Sequence, residues 1–247
     1  MNAILLMLAL VVPSRILFIG NSYTSRNNLP AIFREIVKSD GQPIPTIEAV
    51  APGGKTLEQH STLPETLAKI DQGNWDVVIV QGQSQESAMA EVALNIRTSF
   101  TQGAERLFAR IKAKSPNARI VLFETWARHP DYWKNPKADL HVGRDATEMQ
   151  ARIRKWYAKI AEGHPNVIVA PIGDAWELNY KNPKANALHI ADHSHPNYNG
   201  SYLAALVLYA TIYQPTQLNI LWHGPLSVAE AQRLQQIAKQ TMKGRTP

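Results

Sequence analysis

Arg15-Ile-Leu-Phe-Ile-Gly-Asn-Ser22 is a short apolar run that stops abruptly at a turn containing a glycine. The four consecutive apolar residues from Ile16 to Ile19 predict a buried β-strand. Ser22 follows this strand directly, where free backbone N–H groups at the start of a helix favour developing negative charge. We therefore treat Ser22 as a candidate nucleophile, although the pair Asn21-Ser22 also suits a plain turn and helix cap.

The same pattern of an apolar strand followed by an amphipathic helix repeats along the chain. A second run, Val77-Val-Ile-Val80, is β-branched throughout, which is typical of a strand buried on both faces of a parallel sheet. This alternation indicates an α/β fold whose mostly parallel sheet is covered on both faces. Strands are predicted at residues 16–19, 46–50, 75–80, 119–123 and 167–170. Helices are predicted at 29–38, 56–70 with a break at Pro64, 90–114, 145–161, 174–180, 196–213 and 227–242.

The composition limits the class of protein. With 247 residues, 45% of them hydrophobic, the chain is long enough for an α/β domain with a substantial core. Its net charge of +6 comes from Lys and Arg scattered over the predicted helices, so we expect no nucleic-acid partner. The chain has no cysteine, which excludes disulfides, thiolate catalysis and cysteine-ligated zinc.

An apolar run from Ala3 to Val12 precedes the first strand. It is shorter than the about 20 residues that span a bilayer, so we expect no stable membrane insertion. The run suits the apolar core of a secretory signal peptide, although no Lys or Arg precedes it and no clear small-residue cleavage site follows. We interpret residues 1–13 as a signal peptide or a disordered N-terminal segment and residues 14–247 as a single domain. The protein is then expected to be secreted or periplasmic.

Two glycines, Gly53 and Gly54, follow the second predicted strand. A glycine at this position allows a backbone N–H to approach a ligand closely. Gly54-Lys-Thr56 also resembles the end of a phosphate-binding Walker A loop. That motif requires a glycine five residues before Gly54, where Ala49 stands, so we reject nucleotide binding for this loop.

Three amide side chains surround a glycine after the third predicted strand, in Gln81-Gly-Gln-Ser-Gln85. A side-chain amide can stabilise an oxyanion without titrating. A simple polar turn would have the same composition. The residues alone leave open which of Gln81, Gln83 and Gln85 points toward a ligand.

Asp192-His-Ser-His195 immediately precedes the helix predicted from residue 196. His195 suits a general base whose other ring nitrogen bonds Asp192, although the same acid and imidazoles could instead bind a metal. Asp174 is a rival acid that stands where a helix N-cap is expected, and His193 is expected to be an exposed neighbour. Five other histidines show no partner pattern: His60, His129, His141, His164 and His189.

These motifs, in this order, resemble the SGNH (GDSL-like) hydrolase superfamily over residues 15–213, with the carbohydrate acetylesterase-like branches the most similar. The resemblance implies a flavodoxin-like three-layer α/β/α sandwich with a mostly parallel five-stranded sheet. It also implies a catalytic triad in which Ser22 is the nucleophile, His195 the base and Asp192 the orienting acid.

An oxyanion hole formed by the backbone N–H groups of Ser22 and Gly54, with Gly53 as the second choice for the glycine, and by Gln83 is implied as well. The sequence departs from the family pattern in two blocks. The first reads Gly-Asn-Ser instead of Gly-Asp-Ser, and the third reads Gln-Gly-Gln-Ser instead of Gly-x-Asn-Asp. Gln81 is therefore the second candidate for the third donor, and Ser84 would supply a hydroxyl instead of an amide.

The activity implied by the resemblance is hydrolysis of carboxylic esters through an acyl-enzyme, with no metal and no cofactor. Small acyl groups such as acetyl on carbohydrate are expected, so the partner would be a small-molecule or glycan ester. Trp126, Tyr132 and Trp133 lie in a long irregular stretch after the fourth strand, where they either stack on sugar rings or pack the loop. A lipase, lysophospholipase or thioesterase and a non-catalytic binding module are the alternatives, and the sequence does not determine the oligomeric state.

Overall fold

The computed structural model describes residues 12–182 and 185–243. Most of the N-terminal segment interpreted as a signal peptide or a disordered segment therefore lies outside the described residues. Within them, no helix combines the length and the apolar character needed to cross a bilayer. The single domain over residues 14–247 and the secretion of the protein stay predictions.

A sheet of five parallel strands lies at the centre of the described structure. The strands are β1 (Arg15–Ile19), β2 (Thr46–Val50), β3 (Val77–Val80), β4 (Arg119–Phe123) and β5 (Val167–Ala170). Their order is β2-β1-β3-β4-β5, which is the flavodoxin-like order. The predicted α/β fold with a five-stranded sheet is therefore confirmed, and every strand pairing is parallel.

Helices cover both faces of the sheet. The α-helices are α1 (Ser22–Ser25), α2 (Leu29–Ser39), α3 (Leu57–His60), α4 (Pro64–Asp71), α5 (Glu86–Met89), α6 (Leu94–Lys114), α7 (Ala146–Ala161), α8 (Ile172–Tyr180), α9 (Tyr198–Tyr213) and α10 (Val228–Lys243). Successive side chains of a strand point to opposite faces, so Ile16 and Phe18 belong to the core cluster that also contains residues of α2, α8, α9 and α10. Leu17 and Ile19 belong to the cluster on the other face, with residues of α4, α6 and α7. This arrangement is the predicted three-layer sandwich.

The carboxyl ends of the central strands lie in register. Ile19 aligns with Val50 of β2 on one side and with Val80 of β3 on the other, and Val80 aligns with Leu122 of β4. Because β2 and β3 lie on opposite sides of β1, the crevice outside the ends of β1 and β3 is the switch point of the sheet. Ligands bind at this position in open α/β sheets, and Ser22 follows β1 there.

The break expected at Pro64 is confirmed, because a turn separates α3 from α4 and Pro64 begins α4. The start of the helix expected from Asp174 is corrected by the structure. Asp174 is not an N-cap, since α8 begins at Ile172 and Asp174 lies in its first turn. The carboxylate of Asp174 forms an ion pair with Arg154.

Candidate active site

The chain leaves β1 through a tight turn that puts Ser22 at the start of α1. Asn21 caps this helix, because its Oδ1 accepts a hydrogen bond from the backbone N–H of Tyr23 at 3.2 Å. The Oγ of Ser22 lies 2.9 Å from Nε2 of His195, which belongs to the loop before α9. The fold therefore brings together the predicted nucleophile and the predicted base, which are 173 residues apart in the sequence.

Asp192 holds the imidazole of His195 from its other side. One carboxylate oxygen lies 2.6 Å from His195 Nδ1, and the other accepts the backbone N–H groups of Ser194 and His195 at 2.9 and 2.8 Å. Burial opposes the charge of Asp192, but these N–H groups and the imidazole outweigh it and keep the pKa of Asp192 below its ordinary value. An ionised Asp192 keeps a proton on Nδ1, so that Nε2 can accept the proton of Ser22.

No group of three or more His, Asp or Glu side chains between residues 12 and 182 or 185 and 243 is arranged to hold a metal ion. His193, expected to be exposed, is half-buried instead. Its ring lies 5.4 Å from that of His129, and its φ of +60° turns the loop sharply.

Two buried amide side chains, Asn21 and Gln81, tie together the ends of β1, β2 and β3. Asn21 Nδ2 donates to the carbonyl oxygens of Lys55 and Gly82, each at 3.1 Å. Gln81 Nε2 donates to Asn21 Oδ1 at 2.8 Å and to Gly82 O at 2.6 Å. Both N–H groups of Gln81 are therefore engaged, so its selection as the second candidate for the oxyanion donor is wrong.

The backbone N–H groups of Ser22 and Gly54 at this edge of the sheet have no acceptor within the described residues, and those of Gly53, Lys55 and Ser84 have none either. Gly54 has a φ of +72°, which glycine adopts without strain. The hydrogen bond from Asn21 to the adjoining Lys55 holds this loop beside the serine turn. The N–H groups of Ser22 and Gly54 are available to a ligand, and their role in an oxyanion hole stays a prediction.

Gln83 is half-buried in the loop after β3. Its Oε1 accepts the backbone N–H groups of Gln85 and Glu86, at 2.7 and 3.1 Å. Its Nε2 donates to Ser84 Oγ at 3.3 Å, which leaves the second N–H without an acceptor in the described part of the chain. Gln83 thus keeps one free donor, and its place in an oxyanion hole also stays a prediction.

His60 supports the turn before Ser22, although the sequence gives no sign of it. The ring is fully buried, and its Nδ1 and Nε2 each lie 2.8 Å from an oxygen, Thr66 Oγ1 and Gly20 O respectively. Burial lowers the pKa of His60, so the neutral ring donates from Nε2 to the carbonyl of Gly20. His60 and Gly20 are 40 residues apart, which is why no local motif reveals the contact.

Glu86 is a second supporting residue that the sequence did not reveal. Its Oε2 accepts the backbone N–H groups of Gln83 at 3.2 Å and Leu57 at 3.4 Å, so it links the loop after β3 to the start of α3. Its Oε1 has no hydrogen-bond partner among the described residues. Burial raises the pKa of Glu86 to about 7, against the two N–H donors that favour the charged form.

Glu86→Gln is expected to stabilise the protein at alkaline pH. The folded protein holds the Glu86 proton up to about pH 7, whereas the ordinary pKa is 4.5. Wild-type stability therefore falls as pH rises through this window, by on the order of 3 kcal/mol. Because glutamine stays neutral, the stability of the variant relative to wild type should increase from pH 4.5 to pH 8, as measured by urea unfolding.

The matched control for this prediction is Glu65→Gln, since Glu65 is exposed in the first turn of α4. That variant should change the free energy of unfolding by less than about 1 kcal/mol at both pH values. A difference between wild type and the Glu86 variant that does not change with pH would contradict the raised pKa.

The aromatic residues expected near a sugar mostly pack against protein. Trp126 is 1% exposed and stacks between Tyr23 at 4.3 Å and Trp176 at 3.9 Å, so it is not available to a sugar ring. Tyr132 and Trp133 are half-buried, and the polar atom of each bonds the backbone of the same connection. The second interpretation, in which these residues pack the loop, describes Trp126 fully.

Comparisons with known proteins address the fold. No family model matches the chain, and no curated protein matches its sequence. A protein of the DUF4886 family from Bacteroides uniformis has a similar structure, with a TM-score of 0.75 and 16% identity, covering 93% of this chain and 94% of that one. A protein described as a GDSL-like lipase from Parabacteroides merdae has a TM-score of 0.54 and 18% identity, over 84% of this chain and 99% of that one. The chain has the fold of the GDSL-like (SGNH) hydrolases.

A third structure supports the SGNH fold. The lipase/acylhydrolase from Enterococcus faecalis has a TM-score of 0.57 and 15% identity, covering 82% of this chain and 99% of that one. At such low identity the likeness establishes the SGNH fold alone. Proteins that share a fold differ in activity, so the activity of this chain depends on the chemistry of its own site residues.

Proposed function

We propose that the protein is a serine esterase that hydrolyses carboxylic esters through an acyl-enzyme. The proposal rests on two hydrogen-bond contacts of His195. Its Nε2 lies 2.9 Å from Ser22 Oγ, and its Nδ1 lies 2.6 Å from a carboxylate oxygen of Asp192. A nucleophile, a base and an orienting acid within hydrogen-bond reach are what acyl transfer requires. A non-catalytic binding module would not need this alignment.

In the proposed reaction, His195 accepts the Ser22 proton while Oγ attacks the ester carbonyl, and Asp192 stabilises the imidazolium that forms. The oxyanion is received by the free N–H groups of Ser22 and Gly54, with Gln83 as the third donor. Each such donor lowers the barrier by about 3 kcal/mol. His195 then gives the proton to the leaving alcohol, and water hydrolyses the acyl-enzyme in the same way.

We further propose that the acyl group is small, such as acetyl on carbohydrate. The support is the resemblance of Gln81-Gly-Gln-Ser84 to the acetylesterase-like branches, since the buried Trp126 supplies no platform for a sugar. A lipase or other long-chain acylhydrolase is the second candidate. It is favoured by the lipase descriptions of two proteins that share the fold.

Labelling with a fluorophosphonate tests the nucleophile directly. The probe should modify Ser22, and the added mass should appear on the peptide that contains Ser22 and disappear in Ser22→Ala. The matched control is Ser194→Ala, since Ser194 lies beside His195 but its hydroxyl bonds only Tyr23 among the described residues. Labelling of that variant should persist, and labelling at a residue other than Ser22 would contradict the proposal.

The length of the acyl group is tested with p-nitrophenyl acetate, butyrate and octanoate. For an esterase of small acyl groups, kcat/KM should fall as the chain lengthens. A kcat/KM that rises toward octanoate would favour the lipase, and release of acetate from acetylated xylan would support the carbohydrate substrate.

A further inference from the structure

We propose that Arg128 binds a carboxylate carried by the substrate, so that the enzyme favours anionic over neutral esters. The proposal rests on the serine esterase activity proposed above and adds a substrate class to it. Arg128 lies in the connection after β4, at the same edge of the sheet as Ser22. It takes no part in the triad or in the predicted oxyanion hole.

The guanidinium of Arg128 contacts two of the segments that form the site and is linked to a third through a hydroxyl. Nη1 donates to the hydroxyl of Tyr23 at 2.8 Å, and Nη2 donates to Ser84 Oγ at 3.3 Å. The Tyr23 hydroxyl also lies 2.8 Å from Ser194 Oγ. Arg128 is therefore one hydroxyl away from the residue before His195, and it contacts the residue directly after Ser22.

Tyr23 also fixes the distance of this guanidinium from the base. Its ring stacks on Trp126, and its edge faces the ring of His195 with 5.5 Å between the ring centres. Tyr23 is 2% exposed, so the phenol is a rigid spacer between the imidazole and Arg128. A substrate held at Ser22 would thus extend toward a positive charge in a fixed position.

The charge of Arg128 is not neutralised by protein. Its side chain is half-buried and forms no ion pair with any described carboxylate. Its two protein partners are neutral hydroxyls, which leave three of the five guanidinium N–H groups without an acceptor among the described residues. A guanidinium with free parallel donors matches the two oxygens of a carboxylate.

The backbone at Ala127 and Arg128 is held by contacts from α7 and from His189 in the loop before α9. The N–H of Arg128 lies 3.4 Å from Met149 Sδ, and the N–H of Ala127 donates to Gln150 Oε1 at 2.9 Å. The carbonyl of Ala127 accepts from His189 Nε2 at 3.1 Å. Burial lowers the pKa of His189 to about 3, so this support stays uncharged at neutral pH. The backbone that carries the guanidinium is therefore fixed in position, as a binding residue requires.

The test compares esters that differ only in charge. The probes are 3- and 4-acetoxybenzoate, each paired with its acetoxybenzamide, and the quantity is the ratio of kcat/KM for the acid to kcat/KM for the amide. Wild type should favour the acids, and Arg128→Gln should lower the ratio at least tenfold. Arg128→Lys, which keeps the charge but loses the planar fork, should lie between the two.

Arg144→Gln is the matched control, because Arg144 ends the same connection and its side chain is 83% exposed. It removes the same charge from the protein and should leave the ratio unchanged. A ratio near one in wild type, or an equal ratio in wild type and Arg128→Gln, would overturn the proposal. An equal loss of both rates in Arg128→Gln would do so as well, since it would indicate a structural role.

A binding measurement separates this proposal from the proposed function. Benzoate should bind wild type more tightly than benzamide does, and Arg128→Gln should remove the difference, as measured by isothermal titration calorimetry with folded variants. Binding of benzoate that does not depend on Arg128 overturns the carboxylate site, whatever the hydrolysis assay shows. Hydrolysis of the esters that is unchanged in Ser22→Ala overturns the esterase and leaves the binding result standing.

Discussion

Ser22→Ala is expected to lower kcat for p-nitrophenyl acetate by at least about 10⁴-fold, because it removes the atom that forms the acyl-enzyme. The hydroxyl has one hydrogen bond among the described residues, to His195 Nε2 at 2.9 Å. The free energy of unfolding should therefore stay within about 1 kcal/mol of wild type. The check is a steady-state assay together with urea unfolding of both proteins.

Asp192→Asn tests whether Ser22 acts together with His195 and Asp192. It keeps the size of the side chain but removes the charge that fixes the tautomer of His195, so kcat should fall by about 10²- to 10⁴-fold. The double variant of Ser22 and Asp192 should be no slower than Ser22→Ala alone, since the residues act as a unit. A Ser22→Ala protein that keeps more than one-tenth of the wild-type rate would show that the nucleophile is another group.

Asn21→Asp is expected to have the largest effect on stability. The amide nitrogen of Asn21 donates to two carbonyl oxygens, those of Lys55 and Gly82, and a carboxylate would face both of them without a proton to donate. Asn21 is 2% exposed, so the new charge would also be desolvated. The free energy of unfolding should fall by about 3–5 kcal/mol, as measured by urea unfolding at pH 8.

The activity of the Asn21 variant should fall with its stability, because the same amide positions the loops of Gly54 and Gln83 beside Ser22. Asn135→Asp is the matched control. Asn135 is exposed, and its Oδ1 only accepts a backbone N–H, from Lys137, which a carboxylate does equally well. That control should change the free energy of unfolding by less than about 1 kcal/mol. An Asn21 variant as stable as the control would contradict the role of the amide pair.

The strands were the most predictable part of the fold. Three of the five, at residues 46–50, 119–123 and 167–170, have the predicted bounds. The central strand β4 is a nearly continuous buried apolar run, whereas β2 and β5 are partly exposed edge strands. Helix ends were less predictable. Asp174 resembles an N-cap in sequence, but the ion pair with Arg154, which lies 20 residues earlier, takes its side chain elsewhere.

The residues of the candidate site also differ in how well the sequence predicts them. Ser22, Asp192 and His195 follow from local sequence, since each lies in a short motif at the end of a predicted element. The direction of Gln81 could not be predicted, because it depends on hydrogen bonds to Asn21 across the sheet. Arg128 could not be found at all, since its partners come from separate loops that only the folded chain brings together.

The pair of amides beneath the serine, Asn21 and Gln81, contains no charged group. Asn21 and Gln81 join three strand ends through neutral dipoles, so dissolved ions have little to screen in that framework. Arg128 carries a full positive charge, and it would bind the carboxylate of the proposed substrate through this charge. Ionic strength should therefore act on the two parts of the enzyme separately, weakening the capture of anionic esters while the alignment of Ser22 is preserved.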